Sequence, residues 1–250
     1  MPKNVEKMTI NYSPNFDLKK RSKKQIKFLV FHYTGMKSDT EAIRRLTSPK
    51  SKVSSHYLIK RDGNIIVLVP DLYTAWHAGK SYWKNHKFLN NTSIGIEICN
   101  PGHQFNYINF SKKQAKSIVE LSKYLMAKYK IKVENVLGHS DIAPTRKKDP
   151  GEKFPWQFFA KKKINLWHSL NEDNLKKSRL KVIETKIENK FFKNLSKIGY
   201  SFKKPSNLKK KYFLIRLVKA FQRRYRQQLI NGKIDEECFL ISENILKKLN

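Results

Sequence analysis

His32 closes the apolar run Phe28-Leu29-Val30-Phe31, and His139 closes a second run ending at Leu137-Gly138. The two histidines are 107 residues apart, so only a fold can bring them together. Asp149 lies ten residues past His139, in a Pro- and Gly-bearing loop from Ser140 to Gly151 that is able to turn back toward it. Two imidazoles and a carboxylate, with a fourth position left to water, form the donor set of a catalytic zinc ion with bonds of about 2.0–2.2 Å. The same residues also suit a plainer role, because a strand-end histidine is often a hydrogen-bonded structural group. Glu97 sits in the alternating run Ile94-Gly95-Ile96-Glu97-Ile98-Cys99, where the isoleucines face one way and Gly95, Glu97 and Cys99 the other. Lys147 lies between His139 and Asp149 among other basic residues. Taken alone, Glu97 reads as a solvated strand residue and Lys147 as a solvated loop charge.

These groups need strands to place them. The run 28–31 is continuous enough for a strand buried on both faces. Ser38-Asp39-Thr40-Glu41 has the form of a capping box, which predicts a helix through Ala42, Ile43 and Leu46. Residues 55–60 and 65–69 flank an Asp-Gly turn signal and read as a hairpin. Ser111-Lys112-Lys113-Gln114 opens a second helix, whose stripe is Ala115, Ile118, Leu121, Leu125 and Tyr129. Val133 to Leu137 then reads as a strand. Histidines at strand ends face the crevice where open α/β sheets bind ligands.

Four segments follow from this pass. Residues 1–25 are a polar, extended arm. Residues 26–170 form an α/β unit, and the polar stretch 171–181 is a linker. Residues 182–250 are helical, with apolar positions at Ile187, Phe191, Leu195 and Ile198, at Leu214, Leu217, Val218, Phe221 and Tyr225, and at Leu240, Ile245 and Leu249.

Composition sets outer bounds. Aromatics at 12% and hydrophobics at 39% are enough to fold a globular chain of 250 residues. The net charge of +33 raises the question of nucleic acid, but the lysines are spread along the whole chain and no nucleic-acid-binding motif accompanies them. A specific nucleic-acid partner is therefore not expected. No apolar run approaches the roughly 20 residues of a membrane-spanning helix. The start lacks the apolar stretch of a signal peptide, so the expected compartment is the cytoplasm, with the periplasm as the alternative if the start is trimmed or export is unconventional. Cys99 and Cys238 fit no metal-binding spacing and read as free thiols.

Six blocks occur in order: Phe31-His32-Tyr33-Thr34, Ser55-His56-Tyr57-Leu58-Ile59, Ala75-Trp76-His77-Ala78-Gly79, Ser93-Ile94-Gly95-Ile96-Glu97, Gly138-His139-Ser140-Asp141-Ile142-Ala143-Pro144 and Arg146-Lys147-Lys148-Asp149-Pro150-Gly151. Together they resemble the N-acetylmuramoyl-L-alanine amidases of the AmpD/AmiD type. The resemblance covers roughly residues 26–160. It implies a mixed central β-sheet flanked by helices, one Zn2+ held by His32, His139 and Asp149, Glu97 as catalytic carboxylate and Lys147 as the cation that stabilises an oxyanion. Tyr57, Trp76, His77 and Arg146 become candidates for the substrate groove, and peptidoglycan or muropeptides the expected substrate. A recognition protein on the same fold that binds wall fragments without cutting them is the alternative.

The C-terminal segment carries a resemblance of its own. Leu195-Ser196-Lys197-Ile198-Gly199-Tyr200, Val218-Lys219-Ala220-Phe221-Gln222 and Asn231-Gly232-Lys233-Ile234-Asp235 are similar to a three-helix peptidoglycan-binding module.

Overall fold

The chain is described here by a computed structural model covering residues 8–249. Its strands, in chain order, are β1 (Thr9–Ile10), β2 (Phe16–Asp17), β3 (Phe28–Tyr33), β4 (Tyr57–Ile59), β5 (Ile65–Val67), β6 (Thr74–Ala75), β7 (Tyr82–Trp83), β8 (His86–Lys87), β9 (Ser93–Ile98) and β10 (Val136–Gly138). Six of them make one sheet in the order β1-β5-β4-β9-β3-β10. Strands β4, β9, β3 and β10 run parallel, β5 is antiparallel to β4, and β1 is parallel to β5. The helices are α1 (Asp39–Thr47), α2 (Lys112–Tyr129), α3 (His139–Ile142), α4 (Trp156–Lys161), α5 (Glu172–Ser178), α6 (Thr185–Ile198), α7 (Lys210–Tyr225) and α8 (Glu236–Lys247). This is the mixed α/β architecture expected from the sequence.

Strand parity decides what each sheet face covers. Ile94, Ile96 and Ile98 of β9 join Leu29 and Phe31 of β3 and the α2 stripe Ile118, Leu121 and Leu125 in one apolar cluster. On the opposite face, Phe28, Val30 and Leu137 pack against Leu195, Leu217 and Phe221 of the C-terminal helices in a second cluster. A fully buried aromatic of this kind contributes roughly 1.5–3 kcal/mol relative to exposure. The helices after residue 182 therefore complete the core of the sheet.

That contact has a polar centre. Arg224 of α7 and Asp141 of α3 are almost fully buried, and the guanidinium donates to Asp141 Oδ2 at 2.7 Å and to Val136 O at 2.9 Å. Tyr200 OH donates to Asp141 Oδ1 at 2.9 Å, and the Gly138 amide to Oδ2 at 2.8 Å. The Arg224 guanidinium also stacks 4.3 Å from the Trp156 ring centre. Buried charges are tolerated when each is paired and hydrogen-bonded in this way.

Several expectations need correcting. Val133–Asn135 is a 3₁₀ turn and the strand begins only at Val136, because Glu134-Asn135 is polar and the Asn135 amide closes a tight turn onto Lys132 O at 2.9 Å. The polar stretch 171–181 contains α5: the Asn171 side chain caps the amides of Asp173 and Asn174, and Leu175 alone anchors the helix in the core. In α8 the expected Ile245 is buried, joined by Cys238 and Ile241, while Leu240 is 37% exposed. Of the N-terminal arm, residues 1–7 lie outside the described residues. From residue 8 it is sewn down, with β1 on β5, β2 on β6, and Arg21 donating to Asn90 O, Ser93 O and Asp71 O. It is not extended throughout, since Lys23–Gln25 form a 3₁₀ turn closed by the Gln25 side chain on the Ser22 amide.

Candidate active site

Parallel pairing of β3 and β9 sets His32 beside Glu97, and β10 lies on the other side of β3 with Gly138 opposite Phe31. His139 thus leaves the sheet one step past Gly138 and begins α3 at the same edge. The loop returns as expected, with the Ser140 amide donating to Asp149 O at 2.8 Å. Gly138 is needed for this return, because a Cβ there would meet Pro150 Cδ at 2.7 Å.

The result is a buried triangle. His32 Nδ1 lies 2.9 Å from His139 Nδ1, and Asp149 Oδ2 is 3.0 Å from each. These spacings approach the ligand separation of about 3.3 Å set by tetrahedral zinc with bonds near 2.0 Å. The outer ring nitrogens fix the tautomers. His139 Nε2 faces Ala78 O at 3.1 Å, an acceptor, so that nitrogen carries the proton. Ser93 Oγ donates to Leu89 O and must accept from His77 Nε2 at 3.1 Å, which leaves His77 Nδ1 to accept from His32 Nε2 at 3.0 Å. Both inner nitrogens then present lone pairs toward a carboxylate. Three lone pairs converging at such distances repel one another unless a cation lies among them, and outer partners of this kind are what orient metal-binding histidines.

Electrostatics agree with that reading. Burial, joined by the neighbouring His139, lowers His32 to about 4, so it stays neutral near pH 7. Burial, reinforced by Asp149, raises Glu97 to about 8, and Lys147 only partly offsets the rise. Its Oε2 is buried with no hydrogen-bond partner.

A cavity of about 390 Å³ opens over the triangle and is lined by Glu97, Lys147, Arg146, Trp76 and His77 among others. Trp76 is held by Nε1 donating to Asp17 Oδ1 at 2.8 Å. Arg146 donates to Ala78 O and, at 2.9 Å, to Lys80 O. His77 lines the cavity behind His32 and contacts that ring through its Nδ1 at 3.0 Å. Gly95 makes room for it, since a Cβ there would sit 2.4 Å from the ring. Tyr57 is not brought to the cavity. It pairs in register with Ile96, faces the α2 side, and donates to Asp71 at 2.5 Å. Cys99 is buried against Ala42 and Leu46, and desolvation raises its thiol.

Sequence reasoning missed the supports. His56 had no foreseen partner, yet its Nδ1 accepts the Gly95 amide at 3.0 Å and its Nε2 faces Tyr73 O at 3.0 Å, fixing the strand beneath Glu97. Ser93 lay within a quoted block without a role. Asp141 lay in another, and its type beside His139 was the one signal that a buried charge partner was needed.

An open α/β sheet whose strand ends gather two histidines, an aspartate and an orphaned glutamate defines a hydrolytic enzyme. Residues 22–152 match the model of the family described as N-acetylmuramoyl-L-alanine amidase. The chain is 37% identical to the N-acetylmuramoyl-L-alanine amidase AmiD of Escherichia coli (strain K12), over 90% of this chain and 83% of that one. The solved complex of Escherichia coli AmiD with anhydro-N-acetylmuramic acid-L-Ala-D-gamma-Glu-L-Lys superimposes with a TM-score of 0.78 at 34% identity, covering 90% of each chain. AmpDh3 of Pseudomonas aeruginosa in complex with anhydromuramic pentapeptide gives a TM-score of 0.77 at 29% identity, covering 96% of this chain and 98% of that one. The chain belongs to the N-acetylmuramoyl-L-alanine amidase family, and it is an amide hydrolase of the AmpD/AmiD type.

Proposed function

We propose that the chain is a zinc-dependent amidase that hydrolyses the amide between the lactyl group of N-acetylmuramic acid, or its 1,6-anhydro form, and L-alanine of the peptide stem. The convergence of three lone pairs from His32, His139 and Asp149 under a cavity that also holds Glu97 carries this reading. His32, His139 and Asp149 would hold the zinc, which supplies an activated water and a polarised carbonyl. Glu97 accepts the water's proton and passes it to the departing amine, since an unprotonated amine is a very poor leaving group. The Lys147 ammonium faces the developing oxyanion, an interaction worth about 3–4 kcal/mol in acyl transfer. Trp76 and Arg146 form walls for the substrate, and His77 fixes the tautomer of His32. The substrate class is supported by the muramyl peptides named in the complexes of the two similar enzymes.

Residues 26–170 carry this chemistry in our reading, and residues 182–250 add a helical unit with a cavity of about 580 Å³ between Phe192, Leu214 and Ile234 that would take wall polymer. No helix among the described residues is long and apolar enough to cross a membrane.

The test is incubation of zinc-loaded protein with an anhydro-muropeptide, followed by mass spectrometry. Free stem peptide is the expected product, and it vanishes in Glu97→Gln while zinc stays bound. Intact substrate with zinc bound in both proteins would instead mark a recognition protein.

A further inference from the structure

Beside the catalytic cavity lies a second one of about 490 Å³, a size typical of small-ligand sites. One wall comes from the loop after α3, including Pro144 and Arg146. The other comes from residues 201–208, including Lys203 and Lys204, and from Arg216 on α7. Five cationic side chains line it, counting Lys80, and no acidic one does. None of the five forms a salt bridge among the described residues. Their donors turn to carbonyls instead: Arg146 to Lys80 O at 2.9 Å, Arg216 to Thr145 O at 2.5 Å, and Lys204 to Leu208 O at 2.8 Å. Carbonyls position a cation without cancelling its charge. Lys203 lies over the Tyr82 ring, 5.3 Å from its centre, and the neighbouring Lys87 ammonium lowers its pKa, as expected where positive charge is left unbalanced.

Two further features point to a ligand shared with the catalytic site. Arg146 lines both cavities, so they are neighbours across this side chain. The two walls are also held in one frame by the buried Arg224–Asp141–Tyr200 cluster, so the cleft exists before anything binds. A peptide leaving the scissile amide in extended form advances about 3.5 Å per residue, so three residues reach on the order of 10 Å. The stem in the Escherichia coli AmiD complex, L-Ala-D-gamma-Glu-L-Lys, has a γ-linked glutamate, which leaves its α-carboxylate free, and ends on a second carboxylate.

We propose that this second cleft binds the carboxylates of the peptide stem, with Lys203, Lys204 and Arg216 receiving the end that has passed Arg146. The proposal rests on the amidase reading above and adds to it a stem-recognition site built by both halves of the chain. It makes the helical half part of substrate selection, through charge rather than through the glycan.

Calorimetric titration of the full chain with the free tripeptide L-Ala-D-γ-Glu-L-Lys, and with the same peptide amidated at both carboxyls, tests this without relying on turnover. The acid form should bind roughly tenfold more tightly than the diamide at low salt. In Lys203→Gln/Lys204→Gln that gap should shrink to about twofold, while the matched change Lys23→Gln/Lys24→Gln on an exposed turn should keep it. In parallel hydrolysis of the anhydro-muramyl tripeptide, the cleft variant should raise KM by a similar factor and leave kcat unchanged. Lys203 is exposed, so the single Lys203→Gln provides the same reading if the double change disturbs its loop. A full acid-over-diamide gap in the cleft variants overturns the proposal, as does an equal loss in the Lys23/Lys24 control. A chain that releases no peptide yet shows the charge-dependent gap would refute the amidase reading and leave the cleft assignment in place.

Discussion

Two buried carboxylates in this molecule have opposite surroundings. Asp141 sits between sheet and C-terminal helices with both oxygens taken, by Arg224 and the Gly138 amide on one side and Tyr200 on the other. Glu97 sits at the cavity above His32, His139 and Asp149 with one oxygen buried and unpartnered, and its pKa is raised to about 8. The first arrangement settles the charge and locks two parts of the chain together. The second leaves the charge unsettled, which suits the proton transfer proposed above for Glu97. Satisfaction of hydrogen bonds thus separates structural from chemical carboxylates more sharply than burial does.

The comparison breaks most readily at Glu97. Glu97→Gln keeps the shape and removes the proposed proton shuttle, so kcat should fall by about 10³-fold with zinc affinity little changed. Loss of zinc alongside activity would show that Glu97 acts through the metal site instead. At Asp141 the expected damage is to the fold. Arg224→Met leaves the aspartate buried without its cation and should cost about 3–5 kcal/mol in urea unfolding. Adding Asp141→Asn to the same chain should recover part of that loss, because the uncompensated charge is then gone. No recovery would mean that the cluster acts by packing alone.

The His32, His139 and Asp149 cluster was foreseen from residue types at strand ends and a return loop together with the family resemblance, and the fold brings its three donor atoms within 3.0 Å of one another. The face that Glu97 occupies, opposite the isoleucines, was legible through the period of two along its strand, whereas its burial was not. Tyr57 was misread because its facing depends on cross-strand register, and pairing with Ile96 turns it to the isoleucine side. The helix at 172–178 was hidden because a single buried Leu175 and a cap, not a stripe, hold it. Arg21 and Arg224 were illegible among so many basic residues, since only the fold selects which cation finds Asp71 O or Asp141. The shared core was hidden for a similar reason: both faces of β3 are apolar, and periodicity does not say what covers each.

A smaller effect is expected at the support behind His32. His77→Ala removes the acceptor for His32 Nε2, so the ligand can adopt the wrong tautomer. Zinc affinity, measured by competition with a chromophoric chelator, should weaken about 10–100-fold. His77→Gln offers an amide oxygen near the same place and should recover part of it. If His77→Ala binds zinc normally, the chain through Ser93 to Leu89 O is packing only.

The last expected effect is on the pH dependence of stability, and it returns to the contrast between the carboxylates. An unfolded glutamate ionises near 4.5, while Glu97 in the fold holds its proton up to about 8. Between those values the folded state binds more protons than the unfolded one, so stability falls as pH rises and levels off above about 8. Glu97→Gln cannot ionise and escapes this loss. In chelator-treated protein its advantage over the unaltered chain should be near zero below pH 4.5, grow as pH rises toward 8 and level off above it. The other titrating groups are common to both chains, so the difference isolates Glu97. Zinc should flatten the curve, because a nearby dication favours the ionised carboxylate. An advantage independent of pH would place the proton elsewhere and remove the distinction between Glu97 and Asp141.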